Sequence, residues 1–262
     1  MPSTHLQPQR LLAIETSTDT LSVALGTGEP GALLWQRSGP GGAQASATLL
    51  PMVRSLLNEA GWSLDTLAAV VFGRGPGSFT GLRTACSVAQ GLAYGAQGLG
   101  RAGGLPVLPV DTLLALAEEA RQARVDAGEP LPDVIVALLD ARMGEIYVAP
   151  YACGHAGPAG LTPMAPPRLC TPADLPAYLQ NLAPGERLLA GNVFDMDALA
   201  ALVGQRHSAL PTAAALLRLA PGLLAAGHAV AAQDALPLYV RDKVAQTTAE
   251  RESIRLAAEV GA

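Results

Sequence analysis

At 262 residues the chain is long enough for one or two domains and a sizeable core. Half of it is hydrophobic and only 15% is charged, which excludes a disordered chain. A formal charge of −5 makes it a poor stand-alone binder of nucleic-acid phosphates, and with Lys243 as its one lysine it has little room for lysine catalysis.

The 28 glycines and 21 prolines predict short elements broken by many turns. Residues 11–14 read as a buried strand and 21–25 as the next, separated by Glu15-Thr16-Ser17-Thr18-Asp19-Thr20. Residues 32–36 read as a third strand, and 39–42 as a flexible loop. Leu49, Val53, Leu56, Leu57 and Ala60 recur at helical spacing, giving a helix over about 45–60 that Gly61 ends. Pro51 either kinks it or marks its first turn. Residues 67–72 form a buried strand, and a glycine-rich turn leads to a helix over about 79–94. A strand over 106–110 precedes a helix capped by Asp111 or Thr112 and running to about Arg124.

The pattern then restarts. A strand over 134–139 ends at Asp140, Ala141-Arg142-Met143-Gly144 turns, and 145–151 returns. Two strand–turn–strand openings roughly 125 residues apart, each with an acid where its first strand ends (Glu15, Asp140), point to two similar α/β halves. Residues 152–172 read as a loop or irregular edge strand, 174–182 as a short helix and 187–190 as a strand. An Ala/Leu-rich helix over 211–226 is broken near Pro221, and 247–260 reads as a surface helix or disorder. Cys86, Cys153 and Cys170 form no CxxC pair, so a reduced, cytoplasmic setting is expected. No stretch reaches the roughly 18 apolar residues of a membrane span.

The segment from Phe72 to Arg83 stands out. Gly73, Gly75 and Gly77 let its backbone approach another surface closely, and the first N–H groups of the following helix suit an anion. No lysine follows the glycines, so it is not a Walker loop. Ser78 stands where a dinucleotide fingerprint has its third glycine, and Pro76 and Thr80 replace the glycines of a nucleophile elbow. A tight structural turn is the alternative reading. The helix behind it carries Leu82, Cys86, Ala89 and Ala93 on one side, and Gly81, Thr84, Val88, Gly91 and Gly95 on the other, with no charge from Thr84 to Gly100. Such a helix calls for cover on both sides. Either a second helix of the same chain supplies it or another protein does, and we expect part of this surface to meet another chain.

Five blocks in order now resemble one family: Leu12-Ala13-Ile14-Glu15-Thr16-Ser17 with Ser22-Val23-Ala24-Leu25, Gly73 through Arg83, Gln90-Gly91-Leu92-Ala93, Asp140 through Tyr147, and Pro237-Leu238-Tyr239-Val240-Arg241. It is the TsaB family, also called YeaZ. The resemblance runs from about Arg10 to Val244, is weak over 152–172 and is absent from the tail. It implies an actin-like, sugar-kinase-like (ASKHA) fold with two similar α/β domains. The first would span 10–110 and carry the partner-binding helices. The second would span 111–244, its last helix packing back on the first, with 245–262 as a tail.

The resemblance also implies a non-catalytic dimerisation subunit of the complex that makes N6-threonylcarbamoyladenosine in tRNA. Its partners would be a TsaD-like catalytic paralogue and a TsaE-like ATPase, with tRNA met only through the complex and a homodimer when alone. The partner surface then falls on Leu49, Val53, Arg54, Arg74, Ser78, Phe79, Thr80, Gly81, Arg83, Thr84 and Val88. The catalytic paralogue's metal histidines have no counterpart at 42–48, and His5, His155, His207 and His228 have no ligand spacing, so no metal site is expected. No tightly bound cofactor is expected either. Thr16, Ser17, Asp140 and Arg142 are kept as candidate phosphate loops for weak ATP or ADP and Mg near the partner interface, with Glu15 and Asp140 read as structural. A stand-alone actin-fold ATPase or kinase, or a metallopeptidase-like protein, are the alternatives.

Overall fold

The computed structural model describes residues 9–154, 157–182 and 185–241; the expected tail lies outside them. Strands β1 (Leu11–Glu15), β2 (Thr20–Gly26) and β3 (Trp35–Pro40) form an antiparallel meander. Helix α1 (Ala45–Ala60), β4 (Ala69–Gly75), α2 (Phe79–Gly95) and β5 (Val107–Asp111) follow. The first sheet has the order β3-β2-β1-β4-β5, with β1, β4 and β5 parallel. Helix α3 (Thr112–Asp126) leads to β6 (Val134–Asp140), β7 (Ile146–Cys153), β8 (Leu161–Pro163) and β9 (Arg168–Cys170). Then come α4 (Leu175–Gln180), β10 (Arg187–Gly191), β11 (Gln205–Ser208) and α5 (Ala213–Ala225).

The second sheet runs β11-β10-β6-β7-β8, with β9 also on β7. From β6 outward it repeats the first sheet: an antiparallel hairpin on one side, two parallel strands on the other. The two halves implied by the repeated hairpin are therefore present strand for strand, in the two-domain arrangement of the actin-like fold.

Strand alternation sets the layers. Leu12 and Ile14 of β1 face α1 and α2, while Leu11 and Ala13 face the opposite side with α3 and α5. That second face continues through α3 and α5 to Ile135, Ala137 and Tyr151 of the second sheet. Both helices thus lie between the sheets, in one core. Helix α5 packs on β1, β2 and β4, and its entry is fixed by Ser22 Oγ, which accepts the Ala213 N–H at 2.8 Å. Thr212 caps it by accepting the Ala215 N–H at 3.1 Å. In this layer Glu118 is fully buried and accepts hydrogen bonds from Arg121 and Arg218.

Several elements differ from their sequence reading. The third strand is 35–40 rather than 32–36, because pairing with β2 sets its register (Leu25 with Trp35, Thr20 with Pro40). Leu33 and Leu34, inside the expected strand, are exposed. The supposed flexible loop at 39–42 is the end of β3 followed by a 3-10 turn, Gly42–Gln44. Pro51 lies in the interior of α1, past its first turn, and Gly61 ends that helix at φ 64°. Pro221 does not break α5, whose buried face spans the proline. Asp111 stands at the start of α3 without capping it, since its carboxylate takes the Arg74 Nε–H at 2.5 Å instead. The short, polar edge strand β11 carries no apolar signal and has no sequence counterpart.

Candidate functional site

The glycine-rich coil docks inward, onto the turn of the first hairpin. A Cβ on Gly73 would stand 1.9 Å from Glu15 Oε2, and one on Gly81 1.9 Å from the Thr16 carbonyl oxygen. One on Gly77 would stand 2.5 Å from the Ser17 carbonyl oxygen. The Ser78 N–H donates to that carbonyl at 2.7 Å, and Thr16 Oγ1 donates to the Gly81 carbonyl at 2.7 Å. The close approach expected of the glycines is therefore made to the chain itself, which corrects the reading of the glycines as a docking device.

Beneath the coil Glu15 is fully buried, with Oε1 accepting the Ser17 N–H at 2.6 Å and Oε2 left without a partner. Burial pushes its carboxyl above the ordinary glutamate range, and hydrogen bonds from Ser17 and Thr16 pull back part of the rise. A carboxyl raised by folding stabilises fully below its unfolded pKa, and that contribution is lost as pH rises through the folded value. Glu15→Gln is expected to flatten the decline in wild-type stability from the ordinary glutamate range towards neutrality. The measurement is Tm from roughly pH 4 to 8; an unchanged slope would remove burial of Glu15 as the cause.

Above the hairpins lies a cleft of about 390 Å³ between the two domains. Ser17 and Asp19 come to it from the first hairpin, Ser78, Phe79 and Thr80 from the start of α2, and Asp140 and Arg142 from the second hairpin. Members of the candidate phosphate loops and of the candidate partner surface meet here. Thr16 is not among the lining residues; its hydroxyl is spent on Gly81. The second hairpin turns through left-handed Arg142 (φ 62°), Met143 (φ 57°) and Gly144 (φ 74°). Asp140 Oδ1 accepts the Arg142 N–H at 2.7 Å. The Arg142 guanidinium pairs with Asp19 across the mouth and lies 3.5 Å from Asp140 Oδ2. A phosphate entering the cleft must take this cation from two carboxylates.

The outer face of α2 is open. Thr80, Arg83, Ser87, Gly91, Tyr94 and Gly95 are exposed and Thr84 and Val88 half-buried, while Leu82, Ala85, Cys86, Ala89 and Ala93 are buried towards the sheet. On neighbouring α1, Leu50 and Arg54 are exposed. Leu49 and Val53, placed at the partner surface from sequence, are instead core residues, 0% and 2% exposed, because the helical stripe that marks them is the one facing the sheet. Gly81 is likewise buried against Thr16. Arg74 is committed to Asp111 within the chain. Arg83 lies 3.9 Å over the Phe79 ring and donates Nε–H to Tyr239 Oη at 3.1 Å.

The sequence reading assigned no role to the segment 230–241, which returns from the second domain and lies along α2. The Ala235 carbonyl accepts from Gln90 Nε2 at 3.0 Å, and the Leu238 N–H donates to the Arg74 carbonyl at 2.7 Å. Its one signal was the block from Pro237 to Arg241. Ser87 and Tyr94 were also missed, although their spacing from Arg83 and Gly91 puts them on the same face.

A family model described as "TsaD: tRNA N6-adenosine threonylcarbamoyltransferase" matches residues 42–175. The tRNA threonylcarbamoyladenosine biosynthesis protein TsaB of Escherichia coli K12 is 34% identical over 90% of this chain and 96% of its own length. This chain belongs to the TsaB family. The TsaB of Haemophilus influenzae is 39% identical over 54% of this chain and 53% of its own. YeaZ from Pseudomonas aeruginosa superposes with a TM-score of 0.68 at 32% identity, covering 88% of this chain and 99% of that one. A second structure, described as similar to peptidase YEAZ from the same organism, gives 0.71 at 32% identity, over 89% and 100%.

Among the described residues no three His, Cys, Asp or Glu side chains come together as a metal site. None of their helices is long and apolar enough to cross a membrane.

Proposed function

We propose that this chain works in the cytoplasm, in tRNA threonylcarbamoyladenosine biosynthesis, as a non-catalytic subunit that binds a TsaD-like catalytic paralogue through the outer face of α2 and the neighbouring edge of α1. A TsaE-like ATPase joins the pair, tRNA is met only through the complex, and the free chain pairs with itself through the same face. The observation that carries this reading is the open face of α2. Ser87, Gly91 and Gly95 are exposed, and a Cβ on Gly91 would meet nothing within 4 Å. Glycine in a helix interior costs about 1 kcal/mol relative to alanine. A helix that keeps it on an exposed face, free of charge from Thr84 onward, gains nothing within its own fold, but a second helix can pack close there.

Gly91→Arg in the full chain tests this. Affinity for the purified catalytic paralogue is expected to fall at least about 100-fold, with Tm little changed, and light scattering is expected to show the free variant as a monomer. Unaltered affinity would move the interface elsewhere. Nucleotide binding in the cleft is weak on this reading, because Arg142 is already shared by Asp19 and Asp140. Titration with Mg and ATP should give no saturable binding below about millimolar; tight binding with turnover would favour a stand-alone actin-fold ATPase.

A further inference from the structure

The segment 230–241 touches both domains in turn. At its start Val230 exchanges two backbone hydrogen bonds with Val107 on β5, at 2.8 and 2.9 Å. In its middle the Ala235 carbonyl accepts from Cys86 Sγ at 3.2 Å and from Gln90 Nε2 at 3.0 Å, and Tyr94 Oη donates to Gln233 Oε1 at 3.2 Å. The Tyr239 ring stacks at 5.3 Å on Phe79, the first residue of α2. Two residues later the chain reaches the other domain. Arg241 donates to Glu145 Oε2 at 2.5 Å, to the Ala141 carbonyl at 3.1 Å and to Met143 Sδ at 2.9 Å.

Arg241 therefore holds the left-handed turn of the second hairpin, and Arg142 at the tip of that turn reaches back to Asp19 on the first. The contacts run from α2 through Tyr239 and Arg241 to the turn, and from the turn across the mouth of the cleft. The closing pair is weak by construction, because Arg142 and Asp19 are 66% and 76% exposed and water and salt screen them. The strap's own end is firmer, with Arg241 only 13% exposed. A weak closure tied to a firm strap is sensitive to where the strap sits.

We propose that the segment 235–241 is a strap that couples the outer face of α2 to closure of the inter-domain cleft. A molecule that shifts Phe79 or Arg83 shifts Tyr239, and with it Arg241 and the turn that presents Arg142. By linkage, opening the cleft loosens the start of α2 to the same extent. This inference holds whichever partner covers α2, and it is tested without one.

Hydrogen exchange of the full chain, read by mass spectrometry on peptides spanning 79–87, 141–146 and 16–20, follows the coupling. Phe79→Ala is expected to speed exchange in 141–146 about tenfold, within the roughly 5–150-fold range of coupled sites. Arg241→Gln is expected to do the same in 79–87. Asp19→Asn, at an exposed position, should speed both with the fold intact by circular dichroism. If Phe79→Ala leaves 141–146 unchanged, and Arg241→Gln and Asp19→Asn leave 79–87 unchanged, the strap does not couple the two sites. Should Phe79→Ala fail to fold, Arg241→Gln and Asp19→Asn decide the matter by their effect on 79–87.

Discussion

Alanine at position 81 is expected to destabilise the protein by about 2–4 kcal/mol, whereas alanine ten residues further along the same helix is expected to stabilise it by about 0.5–1 kcal/mol. Both substitutions favour the helical backbone, so opposite signs report what each Cβ meets. At Gly91 it meets open solvent. At Gly81 it would stand 1.9 Å from the Thr16 carbonyl oxygen, a backbone atom with no rotamer to retreat into. Thr16 cannot yield alone. Its neighbours Glu15 and Ser17 are buried, and Glu15 is packed against Gly73. The turn must therefore move with α2, which also displaces Ser17 from the cleft. Denaturant unfolding of both variants reads the opposite signs directly. If Gly81→Ala unfolds at the wild-type midpoint, the coil is not seated on the hairpin as described.

The second large effect is expected at Glu118. Its carboxylate is fully buried and accepts from Arg121 Nε at 2.6 Å and from Arg218 Nε at 2.7 Å. Removing one member of a buried ionic set strands the others, usually at about 3–5 kcal/mol. Here the arginines are 16% and 26% exposed and can partly recover water, and Arg218 keeps Glu119 at 2.8 Å. Glu118→Ala is therefore expected to lose about 2–4 kcal/mol, which is roughly 5–15 °C in Tm for a chain of this size. Glu118→Gln, retaining the shape and two acceptor lone pairs, should lose less. A fall under about 1 kcal/mol in the alanine variant would mean that Arg121 and Arg218 stabilise each other's surroundings without the carboxylate.

The architecture was legible because burial writes itself into periodicity. The runs at 11–14 and 134–139 belong to strands buried on both faces, and continuous apolar sequence leaves little else they could be. Helix α1 was placed by its stripe and by Gly61, whose left-handed φ no branched residue adopts cheaply. The same stripe misled the site. Leu49 and Val53 are periodic because they face the sheet, so the strongest helical signal marks the inside and not the contact face. Position along a chain also says nothing about which charges meet. Arg74 with Asp111, and Arg142 with Asp19, join residues 37 and 123 apart, and only the topology brings them together. The glycines were correctly singled out for close approach, but the surface approached could not be read from one dimension.

Helix α5 is the last α-helix of the described residues, yet it covers the inner face of β1, β2 and β4, which precede it by well over a hundred residues. During synthesis, Leu11, Ala13 and Val71 must wait until Ala213–Ala225 have left the ribosome before their final cover arrives. Until α5 arrives, the inner face of β1, β2 and β4 lacks part of its apolar cover. Expressed by itself, the amino-terminal half should be prone to aggregate.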